Sequence, residues 1–134
     1  MSENNQGNLN GDRQEINEAL EVRRGDIILA EYFFDGTWRT KPVLVIQNDI
    51  GNMFSPLVIV LPIVSSEGGD CGPMQVELQE QTQPETGLKN SAILLNVILT
   101  VEKHQLMEKI GRLPEFLLRD VENGIRISLG FSGK

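Results

Sequence analysis

Four cationic side chains that can bind phosphate lie between residues 23 and 41: Arg23, Arg24, Arg39 and Lys41. Guanidinium and ammonium groups bind phosphate oxygens, and Arg does so with a planar, bidentate set of donors. If the fold brings these residues together, they form a local basic patch of the kind that binds nucleic acid. The alternative is that they are separate surface charges, and their spacing in the sequence leaves both interpretations open.

Two aromatic residues, Tyr32 and Trp38, lie between the two pairs of cations in the sequence. Aromatic rings stack on unpaired bases in proteins that bind single-stranded nucleic acid. Trp38 falls in a predicted loop, where its ring can reach a ligand, whereas Tyr32 falls in a predicted strand and is expected to pack in the core. The sequence therefore favours Trp38 as a stacking residue.

The single histidine and the single cysteine are weaker candidates for chemistry. Histidine can serve as a general base near neutral pH, but His104 has Glu102, Lys103 and Gln105 as neighbours and is far from Lys41 in sequence, so a surface position is expected. Cys71 lies in a Gly-rich stretch, and one cysteine forms no intrachain disulfide. The sequence contains no metal-ligand cluster and no Gly-rich phosphate loop, so no cofactor is predicted.

Short apolar segments separated by turn residues must position these side chains. Predicted strands cover 27–33, 43–46, 57–64, 74–78 and 92–99. The second and third do not alternate between apolar and polar residues, which indicates burial on both faces. Residues 48–52 are rich in Asn, Asp and Gly and are predicted to form an ordered loop. Such a series favours a small barrel or a strongly bent sheet.

The last third of the chain has a different pattern. Thr100 can cap a short helix over 101–107, with Gly111 as a plausible stop, and 108–113 can be read as helix or strand. Pro114 suits a first helical position. Leu117, Val121 and Ile125 then recur at helical spacing, so a C-terminal helix is predicted to pack on the sheet.

Several of these segments together resemble the MazF/PemK toxins of toxin–antitoxin modules, and most strongly the Gram-positive MazF branch. The segments are Arg24-Gly25-Asp26, the run KPVLVIQND over 41–49, Phe54-Ser55-Pro56, Ile93-Leu94-Leu95 and the run TVEK over 100–103. The resemblance covers roughly residues 23 to 131, and the string from Pro42 to Pro56 is its most specific part.

The resemblance implies a mainly β protein with a C-terminal helix, an SH3-like barrel of the CcdB/Kid/MazF type, that forms a homodimer. It implies sequence-selective cleavage of single-stranded RNA without a metal or other cofactor, leaving a cyclic phosphate. It also implies inhibition by an antitoxin that covers the RNA groove. Together with the absence of any apolar stretch of membrane-spanning length, it predicts a location in the bacterial cytoplasm.

Two positions depart from the pattern of the family. The Arg that family members normally carry before the strand proline is Lys41 here, and the usual Thr at the end of the second long strand is Val64, followed by Ser65 and Ser66. Arg and Thr are the usual catalytic pair of the family. Lys offers phosphate a point charge instead of a bidentate fork, and the Val side chain forms no hydrogen bonds.

Three interpretations of these departures stay open. In the first, the active site has decayed and the folded dimer binds an antitoxin or nucleic acid. In the second, the site has shifted, with Lys41 or Arg39 as the cation and Ser65 or Ser66 replacing Thr. The catalytic candidates are then Lys41, Ser65 and Arg39, and the RNA-binding candidates are Arg23, Arg24, Trp38, Asn48 and Ser66. The third is an unrelated function on the same scaffold.

Composition limits these interpretations. A chain of 134 residues is expected to form one domain, and its formal net charge is −7, of which residues 1–22 carry −4. The remaining −3 is unlike the basic surface of most phosphate binders, although it allows a local patch. We predict that 1–22 is a flexible acidic segment with no signal-peptide pattern and that 23–134 is the toxin-like domain.

Overall fold

The computed structural model describes residues 20–66 and 74–131. Within these ranges, the strands are β1 (Asp26–Phe34), β2 (Thr37–Val45), β3 (Leu57–Ser65), β4 (Gln75–Leu78), β5 (Ser91–Leu94), β6 (Leu99–Glu102) and β7 (Leu106–Arg112). The helices are α1 (Asp49–Phe54) and α2 (Glu115–Ser128), with single 3₁₀ turns at Glu80–Thr82, Pro84–Thr86 and Lys103–Gln105. Residues 1–19 of the segment 1–22 that is predicted to be flexible, and Cys71, lie outside the described residues.

The strands form one antiparallel arrangement in the order β4-β5-β3-β2-β1-β7, with β6 also paired to β3. β3 connects two parts of the sheet, one formed with β2, β1, β7 and β6 and the other with β5 and β4. Its first residues pair with β6, Val60–Pro62 pair with β2, and Ile63–Ser65 pair with β5. One strand thus joins all the others into a single arrangement, as expected of the small barrel or strongly bent sheet that the series of short strands predicted.

The central strands are buried on both faces, which confirms the prediction from their non-alternating sequence. Val43 and Val45 pack in one core cluster with Ile28, whereas Leu44 packs in a second cluster with Leu118 of α2. The first cluster also contains Val22, and Leu20 packs against it. The packed core therefore begins three residues before the boundary at residue 23 that the sequence suggested.

The C-terminal helix forms as predicted and covers the second cluster. Leu118 and Val121 are buried, and so is Gly124. A Cβ atom at Gly124 would lie 2.1 Å from Leu95 Cδ1. A glycine inside a helix costs about 1 kcal/mol of stability relative to alanine. The close approach of α2 to Leu95 explains why position 124 is nevertheless a glycine.

The predicted helix over 101–107 is wrong. Val101 and Glu102 end β6, residues 103–105 form one 3₁₀ turn, and β7 begins at Leu106. Glu102 and Gln105 cap the turn reciprocally, and Leu106 pairs with Ala30 of β1 and is buried. Strand pairing and burial therefore override the local helical pattern, and they settle 108–112 as strand.

Two further segments differ from prediction. The strand predicted over 92–99 is two strands, because β5 ends at Leu94, a turn follows, and β6 begins at Leu99 and pairs with a different part of β3. The loop predicted over 48–52 is mostly helical, because the Asn48 side chain caps α1 by accepting a hydrogen bond from the Gly51 amide at 2.8 Å.

Candidate functional site

Lys41 and Val64 lie on either side of the opening where β2 and β3 separate. The pairing of these strands ends at Val43 and Pro62, and each of the two residues lies two positions beyond that pair. β3 continues along β5, with Ser65 opposite Ser91. Lys41 and Ser65 are exposed and Val64 is half-buried. The two strands that border this opening therefore carry one cation and one hydroxyl, while the side chain across from Lys41, at position 64, is apolar. Strand alternation places Ser65 on the face of β3 opposite to Val64.

Arg39 lies two residues before Lys41, but it is engaged with its own hairpin. Its Nε donates to the Phe34 carbonyl at 3.1 Å, and one terminal nitrogen lies 3.8 Å from a carboxylate oxygen of Asp35. Side chains on a strand alternate between its faces, so Arg39 and Lys41 share one face of β2. Arg39 can add positive potential near Lys41 while it holds the β1–β2 turn together.

Arg23 and Arg24 lie just before β1, at the end of the strand away from the β1–β2 turn. Lys41 pairs with Ala30, six residues along the chain from Arg24, which corresponds to roughly 20 Å along a strand. Arg24 donates to Glu122 at 2.5 Å and to the Ile46 carbonyl at 3.1 Å. These cations therefore form no single patch, which decides between the two interpretations that the sequence left open.

The charge of Arg23 is largely balanced by its neighbour Glu21. Its guanidinium lies 2.6 Å from the Glu21 carboxylate, and this hydrogen bond and charge raise the pKa of Arg23. Both side chains are exposed. A phosphate that approached Arg23 would have to compete with Glu21, so this residue is a weaker anion site than its exposure suggests.

Asn48 and Asp49 connect α1 to the start of β1. Besides the capping bond of Asn48, Asp49 Oδ1 accepts from the Arg24 backbone N–H at 2.7 Å and from the Asn52 amide at 3.0 Å. These two hydrogen bonds lower the pKa of Asp49 below its ordinary value. The position of Asn48 at this junction gives it a structural role beside the predicted role in RNA binding.

Asp49 should make the stability of the protein sensitive to acid. Because the pKa of Asp49 is lower in the folded state, its contribution to the stability of the fold is fully present above the unfolded-state pKa of about 3.9. That contribution is lost as the pH falls through the folded-state pKa. We expect the melting temperature of Asp49→Asn to fall less steeply between pH 5 and pH 2 than that of the parent. Parallel profiles for Asp49→Asn, the parent and the control Asp120→Asn would contradict this assignment.

Trp38 is 64% exposed and lies against Phe33, with ring centroids 5.7 Å apart in an edge-on arrangement. It belongs to strand β2, not to a loop as predicted. Tyr32 is buried as predicted, and burial raises the pKa of its hydroxyl. Strand alternation places Trp38 on the face of β2 opposite to Arg39 and Lys41, so the structure separates the predicted stacking residue from the predicted catalytic cation.

The remaining candidates lie at the end of β3 and in the 3₁₀ turn. The Ser66 backbone N–H donates to the Asn90 carbonyl at 2.8 Å and fixes the end of β3 to the turn before β5. His104 is half-exposed and contacts the Glu102 carboxylate, so the predicted surface position is confirmed.

Sequence reasoning overlooked Asp26, which is 2% exposed. Its carboxylate oxygens lie 3.0 Å from Lys109 Nζ and 3.0 Å from an Arg112 nitrogen, and one accepts from the Arg23 backbone N–H at 2.8 Å. The carboxylate thus connects the start of β1 to β7. The available signal was an acidic residue at the start of an otherwise apolar strand, but its partners lie more than eighty residues away.

None of the helices in the described part of the chain is long and apolar enough to span a membrane.

An antiparallel sheet, a C-terminal helix packed on it and an opening between β2 and β3 define a small barrel-type β domain. Residues 23–129 match the family described as the PemK-like, MazF-like toxin of type II toxin–antitoxin systems, and the chain belongs to this family. It is 38% identical over 114 residues to the endoribonuclease MazF of Staphylococcus epidermidis, an alignment that covers 83% of this chain and 93% of that protein.

Solved structures of the same family share the fold. A mycobacterial endoribonuclease, solved in complex with its cognate antitoxin, matches with a TM-score of 0.66 at 18% identity over 85% of this chain and 98% of that one. The MazE–MazF structure from Deinococcus radiodurans (form III) matches with a TM-score of 0.68 at 18% identity over 84% and 100%. The predicted SH3-like barrel of the MazF type is confirmed.

Proposed function

We propose that this protein is the toxin of a type II toxin–antitoxin module and that it cleaves single-stranded RNA at the opening between β2 and β3. The observation that carries the proposal is the family match over residues 23–129, supported by 38% identity to a staphylococcal endoribonuclease over most of both chains. An antitoxin protein is the proposed physiological partner. The bacterial cytoplasm, where messenger RNA is translated, is the proposed location.

The chemistry requires three roles at the scissile phosphate. The ribose 2′-oxygen attacks phosphorus and the 5′-oxygen leaves, so one proton is removed, one is supplied, and the phosphorane needs a positive charge nearby. Lys41 is proposed to supply that charge, with Arg39 adding potential from the same face of β2. Ser65 is proposed to bind a phosphate oxygen or to take part in proton transfer, roles that Val64 cannot fill.

RNA binding is proposed to depend on a few local contacts. Among the predicted RNA-binding residues, Arg23 is exposed but paired with Glu21, and Trp38 is exposed on the face of β2 opposite to Lys41. The Arg24 guanidinium is engaged with Glu122 and with the Ile46 carbonyl. Arg24 should therefore act mainly by holding α2 against the start of β1. Asn48 and Ser66 lie at ordered backbone junctions and would present their polar groups from fixed positions.

The direct test of this function is cleavage of a long single-stranded RNA by the purified protein in the presence of EDTA, with ends mapped by primer extension. The proposal expects breaks at a small set of sequences and unaffected cleavage in EDTA. The apolar side chain at position 64 favours a second candidate, a family member that binds the antitoxin or nucleic acid without cleaving. If neither the parent protein nor the variant with Lys41→Arg and Val64→Thr cleaves RNA, the second candidate is supported instead.

We also propose that the protein is a homodimer. The aliphatic segment 93–99 does not supply the whole contact, because Ile93 and Leu95 are buried within the monomer core. The end of α2 lies over Leu95, where Ser128 Oγ donates to the Leu95 carbonyl at 3.3 Å. Other apolar residues of α2 and of the segments that follow Leu95 and α2 are exposed. These exposed residues are Ile98, Phe116, Ile127, Leu129 and Phe131.

Sedimentation should therefore give the mass of two chains at micromolar concentration. Ile127→Glu should shift the protein toward monomer, because it places a charge in the centre of the proposed apolar contact. Gln81→Glu introduces the same charge at an exposed polar position outside α2 and should leave the dimer intact. A monomeric parent protein would overturn the proposal.

A further inference from the structure

The outer surface of the β1–β2 hairpin combines exposed aromatic and apolar side chains in one place. An open cleft of about 520 Å³ is lined by Glu31, Trp38, Glu102, His104, Gln105 and Met107. Phe33 borders it through its ring contact with Trp38. We call these seven residues the hairpin face. Trp38, Phe33 and Met107 are all more than half exposed, and a contiguous exposed apolar patch is a feature of interaction sites.

The backbone presents these side chains in an ordered way. Phe33 and Trp38 are directly opposite each other in the β1–β2 register, so their edge-on contact is a cross-strand pair that stabilises the hairpin. The pairing of β1 with β7 passes from Leu29–Glu108 to Ala30–Leu106. Met107 is the extra residue of this bulge, and bulges turn a side chain out of its regular position.

The polar part of the hairpin face is also held in place. Gln105 Nε2 donates to the Glu31 carbonyl at 2.8 Å, and its Oε1 accepts from the Glu102 backbone N–H at 2.7 Å. Glu102 contacts His104. The rim of the cleft is therefore attached to β1 and β6 by hydrogen bonds, and its carboxylates are not on a freely moving loop.

The charge of the hairpin face restricts what can bind there. Glu31 and Glu102 line the cleft, Glu108 is exposed on β7 beside it, and no Lys or Arg is among the residues that line it. A phosphate backbone would be repelled by these carboxylates. A cation would be attracted by them, and the exposed Trp38 ring adds a favourable face for a guanidinium or ammonium group.

We propose that the hairpin face binds a basic segment of a partner protein, with an Arg or Lys side chain over Trp38 and ion pairs to Glu31 and Glu102. The aliphatic part of such a segment would cover Met107 and Phe33. This surface is on the face of β2 opposite to Lys41, so it is distinct from the proposed cleavage site. Binding here does not depend on RNA cleavage and can be tested when cleavage is absent.

Trp38 provides a direct probe because it is the only tryptophan in the sequence. The full-length protein would be titrated with a short acetylated peptide in which Arg alternates with Leu, and its intrinsic fluorescence followed. A matched peptide with Glu in place of Arg is the control ligand. The proposal expects a saturable change with the Arg peptide, weaker at high salt, and little response to the Glu peptide.

Variants identify the surface. Glu31→Gln combined with Glu102→Gln should weaken binding of the Arg peptide by about three- to tenfold, in line with the loss of two exposed ion pairs. Gln keeps an acceptor oxygen for the capping bond of Glu102. Glu115→Gln combined with Asp120→Asn removes the same charge from α2 and should leave the affinity unchanged.

Three outcomes would overturn the proposal. They are equal affinity of the double variant and the parent for the Arg peptide, an equally strong response to the Glu peptide, and stronger quenching of Trp38 by a single-stranded RNA than by the Arg peptide. The last outcome would return Trp38 to the role of a base-stacking residue. Circular dichroism of each variant would confirm that it is folded before its affinity is compared.

Discussion

RNA cleavage should fall by roughly ten- to a thousandfold when Lys41 is replaced by alanine, because the developing charge on the phosphorane then loses its nearest proposed cation. Ser65→Ala should reduce the rate within the same range if its hydroxyl contacts the phosphate. The measurement is the initial rate of cleavage of a labelled RNA under single-turnover conditions. Arg119→Ala removes an exposed cation from α2 and serves as the matched control.

Substitutions that restore the usual residues of the family distinguish an active site that has shifted to other residues from one that has lost its activity. Lys41→Arg with Val64→Thr supplies a bidentate cation and a hydroxyl on either side of the same opening. If the parent protein is nearly inactive, the double variant should cleave far faster than either single variant, because a hydroxyl without the cation leaves the charge poorly stabilised. Robust cleavage that survives both Lys41→Ala and Ser65→Ala would show that other residues perform the chemistry.

Replacement of Asp26 should have the largest effect on stability. Its carboxylate is almost fully buried and joins Lys109, Arg112 and the Arg23 backbone. Asp26→Ala leaves an N–H donor and two cations without their acceptor, and we expect a loss of about 2–4 kcal/mol in the free energy of unfolding. The two cations are partly exposed, which keeps the loss below that of a fully buried ion pair.

Urea denaturation measures this loss directly, and the melting temperature should fall by roughly 10 °C. Glu108→Ala is the matched control, since it removes an exposed carboxylate from the same strand as Lys109. Asp26→Asn should be intermediate because it keeps acceptor oxygen but loses the charge. A stability of Asp26→Ala within about 0.5 kcal/mol of the parent, the range of ordinary surface substitutions, would show that the contact between β1 and β7 depends on apolar packing alone.

The local pattern of the sequence was sufficient for the central strands, the C-terminal helix and the family. Val43–Ile46 and Leu57–Val64 are apolar without alternation, and such runs are compatible with few environments other than a strand buried on both faces. The family was identified from short motifs, because a string such as Pro42–Pro56 carries its signal without reference to distant residues.

Local reasoning failed where long-range pairing decided the outcome. The segment 101–107 has a helical pattern, but Leu106 is buried by pairing with Ala30, more than seventy positions away in the chain. The predicted strand 92–99 is divided because its second half pairs with a different part of β3 from its first half. Propensity is worth tenths of a kcal/mol per residue, and burial of one large apolar side chain outweighs several such terms.

The same division applies to the candidate site. Residue types alone indicated that Lys41 and Val64 depart from the usual chemistry of the family, because a side chain's charge and hydrogen-bonding capacity do not depend on its surroundings. Only the tertiary structure showed that Arg24 is bound to Glu122, that Asp26 is buried between two cations, and that Trp38 faces away from Lys41. These facts depend on strand register and on contacts between distant segments, which spacing along the chain does not encode.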